Sequence, residues 1–207
     1  SEGQNVLYFD QEMRPSVQAE NLMVMIERAL KETKKHYNDL DYLAVTLGPG
    51  SFTGIRIGLA AAKGILYASN LKGIGINNFD AAFYRLQMQV KEQKSAFVIL
   101  NAYRGQVYAQ EFVDSKQQGK PLLIDNDEII KLLKSRTEQT ICTGSGMNVL
   151  YPELKNLSHL QILPRFPTIK ALHIARLADD KINKGEISPI EPLYIRPPDA
   201  IAPRNII

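Results

Sequence analysis

One stretch limits the fold more than any other. Leu43-Ala-Val-Thr-Leu47 is a short apolar run with β-branched Val45 and Thr46, and Gly48-Pro49-Gly50 stops it. Pro49 fixes its own φ and lacks a donor, while the glycines beside it can take φ > 0. Ser51 then offers a hydroxyl to the free N–H groups of a following helix, which the spacing predicts from Phe52 to about Asn70. A strand, a tight turn and a helix in that order open a parallel βαβ unit. Its second strand is read at Lys72-Gly-Ile-Gly-Ile76, followed by a helix from Asn78 to about Lys91 with a cap at Asn77-Asn78. The chain is α/β in character.

A glycine turn ahead of a helix is also a place where phosphate can bind. The P-loop pattern fails here, because Ile55 and Arg56 follow Gly54 where Lys and Ser/Thr would be needed. The dinucleotide pattern fails too, with Thr53 at the third glycine position. Gly48, Pro49, Gly50, Ser51, Phe52 and Thr53 are read as a packing turn, with a phosphate-facing role as the alternative.

The helix itself carries more information. At about 100° per residue, Ile55, Leu59 and Leu66 form a bulky stripe, and Gly54, Gly58, Ala61, Ala62 and Ile65 a neighbouring small one. Polar Arg56, Lys63, Tyr67 and Asn70 keep to a narrow arc. A helix apolar on so much of its circumference needs covering on more than one side. A second helix, from about Val17 to Lys35 after a turn at Pro15-Ser16, has an apolar arc broader than one sheet face needs. That arc includes Leu22, Met23, Met25, Ile26, Ala29 and Leu30, and Val24 alone breaks the pattern. These six residues, with Gly54, Gly58, Ala61, Ala62 and Ile65, are the predicted partner-binding set. Cover by the chain's own second half, or a wide core-facing helix, is the alternative.

The remaining elements are shorter. Val6–Asp10 is a strand candidate, and a composition shift at 91–94 suggests subdomains 1–93 and 94–207. Ser95–Leu100 and Gln106–Phe112 read as a hairpin around Asn101–Gly105. Strands near Leu122–Ile124 and Thr140–Thr143, helices at Asp127–Lys134, Met147–Leu154 and Thr168–Lys184, and an extended proline-rich tail from Pro189 to Pro198 complete the reading. At 207 residues the chain can bury one or two cores, and 44% hydrophobic with 23% charged residues is ordinary for a globular protein. No apolar run is long enough to span a membrane, and the single Cys142 forms no internal disulfide, so the expected address is the cytoplasm. A net charge of +3 without a dense basic block argues weakly for nucleic acid.

Residues Gly48 to Gly58, continuing through Ala60-Ala-Ala-Lys-Gly64, resemble the signature of the bacterial TsaB (YeaZ) family, tRNA threonylcarbamoyladenosine biosynthesis proteins. Leu100-Asn-Ala-Tyr-Arg-Gly-Gln-Val-Tyr108 is similar to a hairpin of that family, and Pro192-Leu-Tyr-Ile-Arg196 to its C-terminal motif. Asn101 and Gln106 stand where the family's hairpin usually carries acids. The resemblance implies an actin-like (ASKHA, ribonuclease H-like) fold of two subdomains. The family's opening strand pair is missing ahead of the first helix, which leads us to expect either a segment outside this sequence or a rearranged sheet.

The resemblance further implies a non-catalytic subunit with no catalytic residue, metal or cofactor of its own. It would work with TsaD and TsaE, which carry the ATP and metal, in modifying adenosine 37 of tRNAs that read ANN codons. It would dock directly on TsaD, meet tRNA only through the complex and have a homodimer as a further option. The residues agree on chemistry. His36, His159 and His173 are not spaced as metal ligands, and neither Ser51 nor Thr53 has a nucleophile's elbow or triad order. Asp125 and Asp127 read as helix caps. The competing readings are an independent actin-like nucleotide-binding enzyme or peptidase, and a tRNA-binding module.

Overall fold

The computed structural model describes residues 1–12, 18–90, 95–163 and 169–196. The expected turn at Pro15-Ser16, the helix start at Val17, the boundary at 91–94, Thr168 and the tail beyond 196 lie outside them. Two sheets organise the described residues. The first contains β1 (Tyr42–Gly48) and β2 (Lys72–Asn77), which run parallel and are joined by α2 (Phe52–Ala68). The second has five strands in the order β5-β4-β3-β6-β7. These are β3 (Ser95–Tyr103), β4 (Gln106–Val113), β5 (Lys116–Asp125), β6 (Thr140–Thr143) and β7 (Leu160–Ile162). The three consecutive strands pair antiparallel, and β6 and β7 continue the sheet in parallel.

Strand β3 lies at the centre of the larger sheet, and its first six residues are all buried. Ala96, Val98, Leu100 and Ala102 pack with Phe79, Ala82, Phe83 and Leu86 of α3 (Asn78–Gln87). Phe97 and Ile99 point the other way, toward α4 (Asn126–Lys134) and α5 (Met147–Leu154). A strand covered on both faces must be apolar throughout, which is why Ser95–Leu100 reads as a continuous run. The final helix, α6 (Ala171–Asn183), packs with α3 beneath the smaller sheet, where Ile74 and Ile76 meet Ile174, Leu177 and Ala178. Helix α2 lies on the opposite face of that sheet, and α1 (Gln18–Thr33) packs against α2. The chain after β7 therefore returns to the first layer.

Three expectations are corrected. Val6–Asp10 forms no strand; the only pairing near it is an isolated bridge between Glu2 and Asn5. Strand β5 begins six residues earlier than Leu122, because its polar first half is an exposed antiparallel edge with no apolar pattern to display. Strand β7 was not anticipated: three residues bounded by loops carry no periodicity, and pairing with β6 makes them a strand.

Candidate functional site

The turn is built as its residues dictate. Gly48 has φ +108°, and a Cβ there would sit 2.9 Å from the Leu193 carbonyl oxygen. Ser51 caps α2, its Oγ accepting from the Gly54 N–H at 3.2 Å, and Asn77 caps α3 by accepting from the Phe79 N–H at 2.8 Å. Asn78 donates to the Pro49 carbonyl at 2.9 Å and so fastens the turn to the start of α3. Gly50 and Ser51 remain exposed at the mouth of a cleft. Asp125 sits at the N-cap of α4 without a side-chain cap bond, so of the two aspartates read as caps it supplies position only.

The three motifs that carried the family resemblance meet in space. Tyr194 of the tail packs on Phe52 at 5.2 Å between centroids, and the Arg56 guanidinium lies over the same ring at 4.3 Å. The Leu193 N–H donates to the Leu47 carbonyl at 2.8 Å. Arg196 donates to the Ala102 carbonyl at 2.9 Å and to Gln106 Oε1 at 2.6 Å. The tail thus ties the glycine turn to the hairpin. Nothing in the sequence links Arg196 with Gln106, ninety residues away.

The second feature is the outer face of α1 and α2. Met23 and Val24 are exposed, Tyr67 is 96% exposed, and Phe52 is 42% exposed. A groove of about 880 Å³ runs between the helices, walled by Met23, Leu30, Ala61, Gly64 and Ala68 and reaching Lys31 and His36. A Cβ at Gly64 would meet nothing within 4 Å. Part of the predicted set lies elsewhere. Ala62 and Ile65 are buried with Ile55 and Leu59, and Gly58 lies against Val45 of β1. The helical angle explains this: Ala62 falls about 20° from Ile55, inside the arc that meets the sheet. Leu22, Ile26, Ala29 and Leu30 are half-buried and turned toward the cleft, Met25 is half-buried, and Gly54 touches its own cap residue Ser51. Val24, which breaks the sequence pattern, belongs to the exposed face. The helical wheel pointed it away from the apolar arc, and that is the signal that could have found it.

Titratable groups are placed structurally. Burial lowers the His173 pKa to about 4, with Arg85, Lys170 and Arg176 adding to the effect, and its Nδ1 accepts from the Lys170 N–H at 3.2 Å. Burial raises the Cys142 thiol to about 12. His159 contacts the Leu133 carbonyl at 3.0 Å, and His36 is exposed. Among the described residues, no group of three or more His, Cys, Asp or Glu is arranged to hold a metal ion, and no helix is long and apolar enough to cross a membrane.

Residues 17–156 match the family model of TsaD, tRNA N6-adenosine threonylcarbamoyltransferase. The chain belongs to the TsaD family. A Clostridium kluyveri tRNA N6-adenosine threonylcarbamoyltransferase is 35% identical over 101 residues, and a Clostridioides difficile one is 30% identical over 95. Those matches cover 49% and 46% of this chain but only 29% and 28% of the transferases, so the chain spans less than a third of their length. The tRNA threonylcarbamoyladenosine biosynthesis protein TsaB of Haemophilus influenzae is 26% identical over 201 residues, covering 89% of this chain and 82% of that protein. The YeaZ structure from Pseudomonas aeruginosa superposes with a TM-score of 0.69 at 17% identity, covering 89% of this chain and 87% of that one. The chain thus aligns with a TsaB protein along most of both lengths and shares the fold of the YeaZ structure.

Proposed function

We propose that this chain is a non-catalytic subunit in the formation of threonylcarbamoyladenosine on tRNA, docking on a TsaD transferase with TsaE as the third component. ATP and metal are held by those partners, tRNA is met through the assembly, and the work is cytoplasmic. Alignment with a TsaB protein across most of both chains, against a partial match to the transferases, supports the reading. The observation that carries it is the apolar groove between α1 and α2, walled by Met23, Leu30, Ala61, Gly64 and Ala68, with Met23 left exposed at its rim. Such a patch on a water-soluble surface marks an interaction site. The same face would serve a homodimer when TsaD is absent.

Gly64→Arg places a charged arm where the backbone is open, and Met23→Asp puts a carboxylate on the exposed rim. The double variant should lower affinity for TsaD at least about tenfold, the equivalent of about 1.4 kcal/mol, while its melting temperature stays near that of the parent. Co-purification and calorimetry with TsaD measure this. Unchanged affinity would refute the site. Reconstitution with TsaD, TsaE, tRNA, ATP and threonylcarbamoyl adenylate tests the role itself: modification that proceeds equally well without this chain rules it out.

A further inference from the structure

Helix α3 serves both sheets at once. Phe79, Phe83 and Leu86 are buried in the core of the larger sheet, while Ala81 packs with Ile76, Leu177 and Ala178 in the core of the smaller one. The two contacts differ in kind. Toward the larger sheet α3 presents aromatic surface, and Phe83 stacks on Phe112 of β4 with centroids 4.1 Å apart and planes within 4° of each other. Toward α6 it presents the small face of Ala81, with Tyr84 partly buried beside it. Packed helices accommodate a change in the angle between layers by sliding past one another, so the contact of α3 with α6 is the joint between the two sheets. Apolar packing is not directional, and what fixes this joint is polar. Asp80, half-buried in the first turn of α3, serves two neighbours with one carboxylate. Its Oδ1 accepts from Gln117 Nε2 of β5 at 2.5 Å, and its Oδ2 lies 3.4 Å from Lys181 Nζ of α6.

We propose that Asp80 locks the angle between the two sheets, one carboxylate joining the β4–β5 hairpin of the larger sheet to the final helix beneath the smaller one. At the far end of α3, Gln87 donates to Ser115 Oγ at 3.1 Å, so the hairpin grips the helix at both ends. Helix α6 is held to the smaller sheet by its own apolar face, and Asp80 couples the two bodies. Water and salt screen an exposed ion pair, and here the side chains of Lys181 and Asp80 are only 21% and 24% exposed, against 45% and 63% for Lys134 and Glu153. Gln4 also reaches both helices, but its contact with Tyr84 Oη is 3.5 Å long and exposed. With the joint locked, the outer face of α1 and α2 and the hairpin around Asn101–Gly105 are presented in one fixed relation. The lock involves no residue of the outer groove, so it stands or falls independently of the TsaD contact.

Spin labels at Lys63→Cys on α2 and Lys131→Cys on α4 read the angle in the full 207-residue chain by electron–electron double resonance. Both positions are exposed, and the native Cys142 is fully buried and takes no label. The parent should give one narrow distance peak. Asp80→Ala should broaden or shift it. Asp80→Asn keeps an acceptor for Gln117 but loses the charge that faces Lys181, and its peak should fall between the two. Lys181→Met keeps the aliphatic stem, should match Asp80→Asn, and carries the test if the alanine variant does not fold. Melting temperatures are recorded beside each distribution. A lower melting temperature with an unchanged peak would make Asp80 a stabilising contact only and overturn the proposal. A parent peak that is already broad would overturn it too, because no fixed angle would exist to be locked.

Discussion

His173 is buried on α6 beside three cationic side chains, and its ring accepts a backbone hydrogen bond, so it is held neutral. Its pKa falls from 6.5 to about 4 on folding. Above the unfolded value both states are neutral and His173 adds no pH dependence. As pH drops from 6.5 toward 4 the unfolded chain takes up a proton that the folded chain refuses, and stability is lost through that window before levelling off. The loss is on the order of 2 kcal/mol. Urea midpoints for the parent should fall across this range, and those of His173→Gln should fall measurably less; parallel curves would show that other groups dominate. Gly144 is a second residue whose reason appears only in three dimensions. Its φ is +109°, and a Cβ would lie against the backbone of Ile99.

At the level of elements, the spacing of apolar and breaker residues carried most of the information. Ser51 was legible as a cap because a hydroxyl residue stands between a glycine turn and a helical run, and the bond to Gly54 is there. Ser51→Ala should cost about 1 kcal/mol in chemical denaturation, with Ser51→Asp restoring most of it. A loss below about 0.3 kcal/mol would mean that water caps the helix equally well. The elements that escaped notice are those whose identity comes from a neighbour. The first half of β5 is polar and exposed, and β7 is three residues long; each is a strand because β4 or β6 pairs with it. The stripes of α2 were legible in outline, but Ala62 was assigned to the wrong one because its small size suggested a contact surface while its angle puts it over the sheet.

For the whole molecule, the tail from Ser188 to Arg196 joins parts that the sequence keeps far apart. Its only backbone bond to β1 is Leu193 to Leu47, and Arg196 anchors its end on the hairpin. Arg196→Ala removes two hydrogen bonds from a partly buried guanidinium, worth about 1.5–3 kcal/mol where charge assists. Exchange of the Leu193 amide should then quicken at least about tenfold, and global stability should fall by no more than that amount; an unaltered rate would mean that Tyr194 on Phe52 holds the tail alone. By itself the sequence determined the α/β class, the strand–turn–helix centred on Gly48 to Ser51, the family, and most helices. Each of these depends on neighbours a few residues apart, where periodicity, capping and turn chemistry act. Tertiary structure alone decided that three distant motifs converge and that the final helix returns to pack beneath the smaller sheet. Those depend on which surfaces meet after the chain has folded back, and no local pattern encodes that.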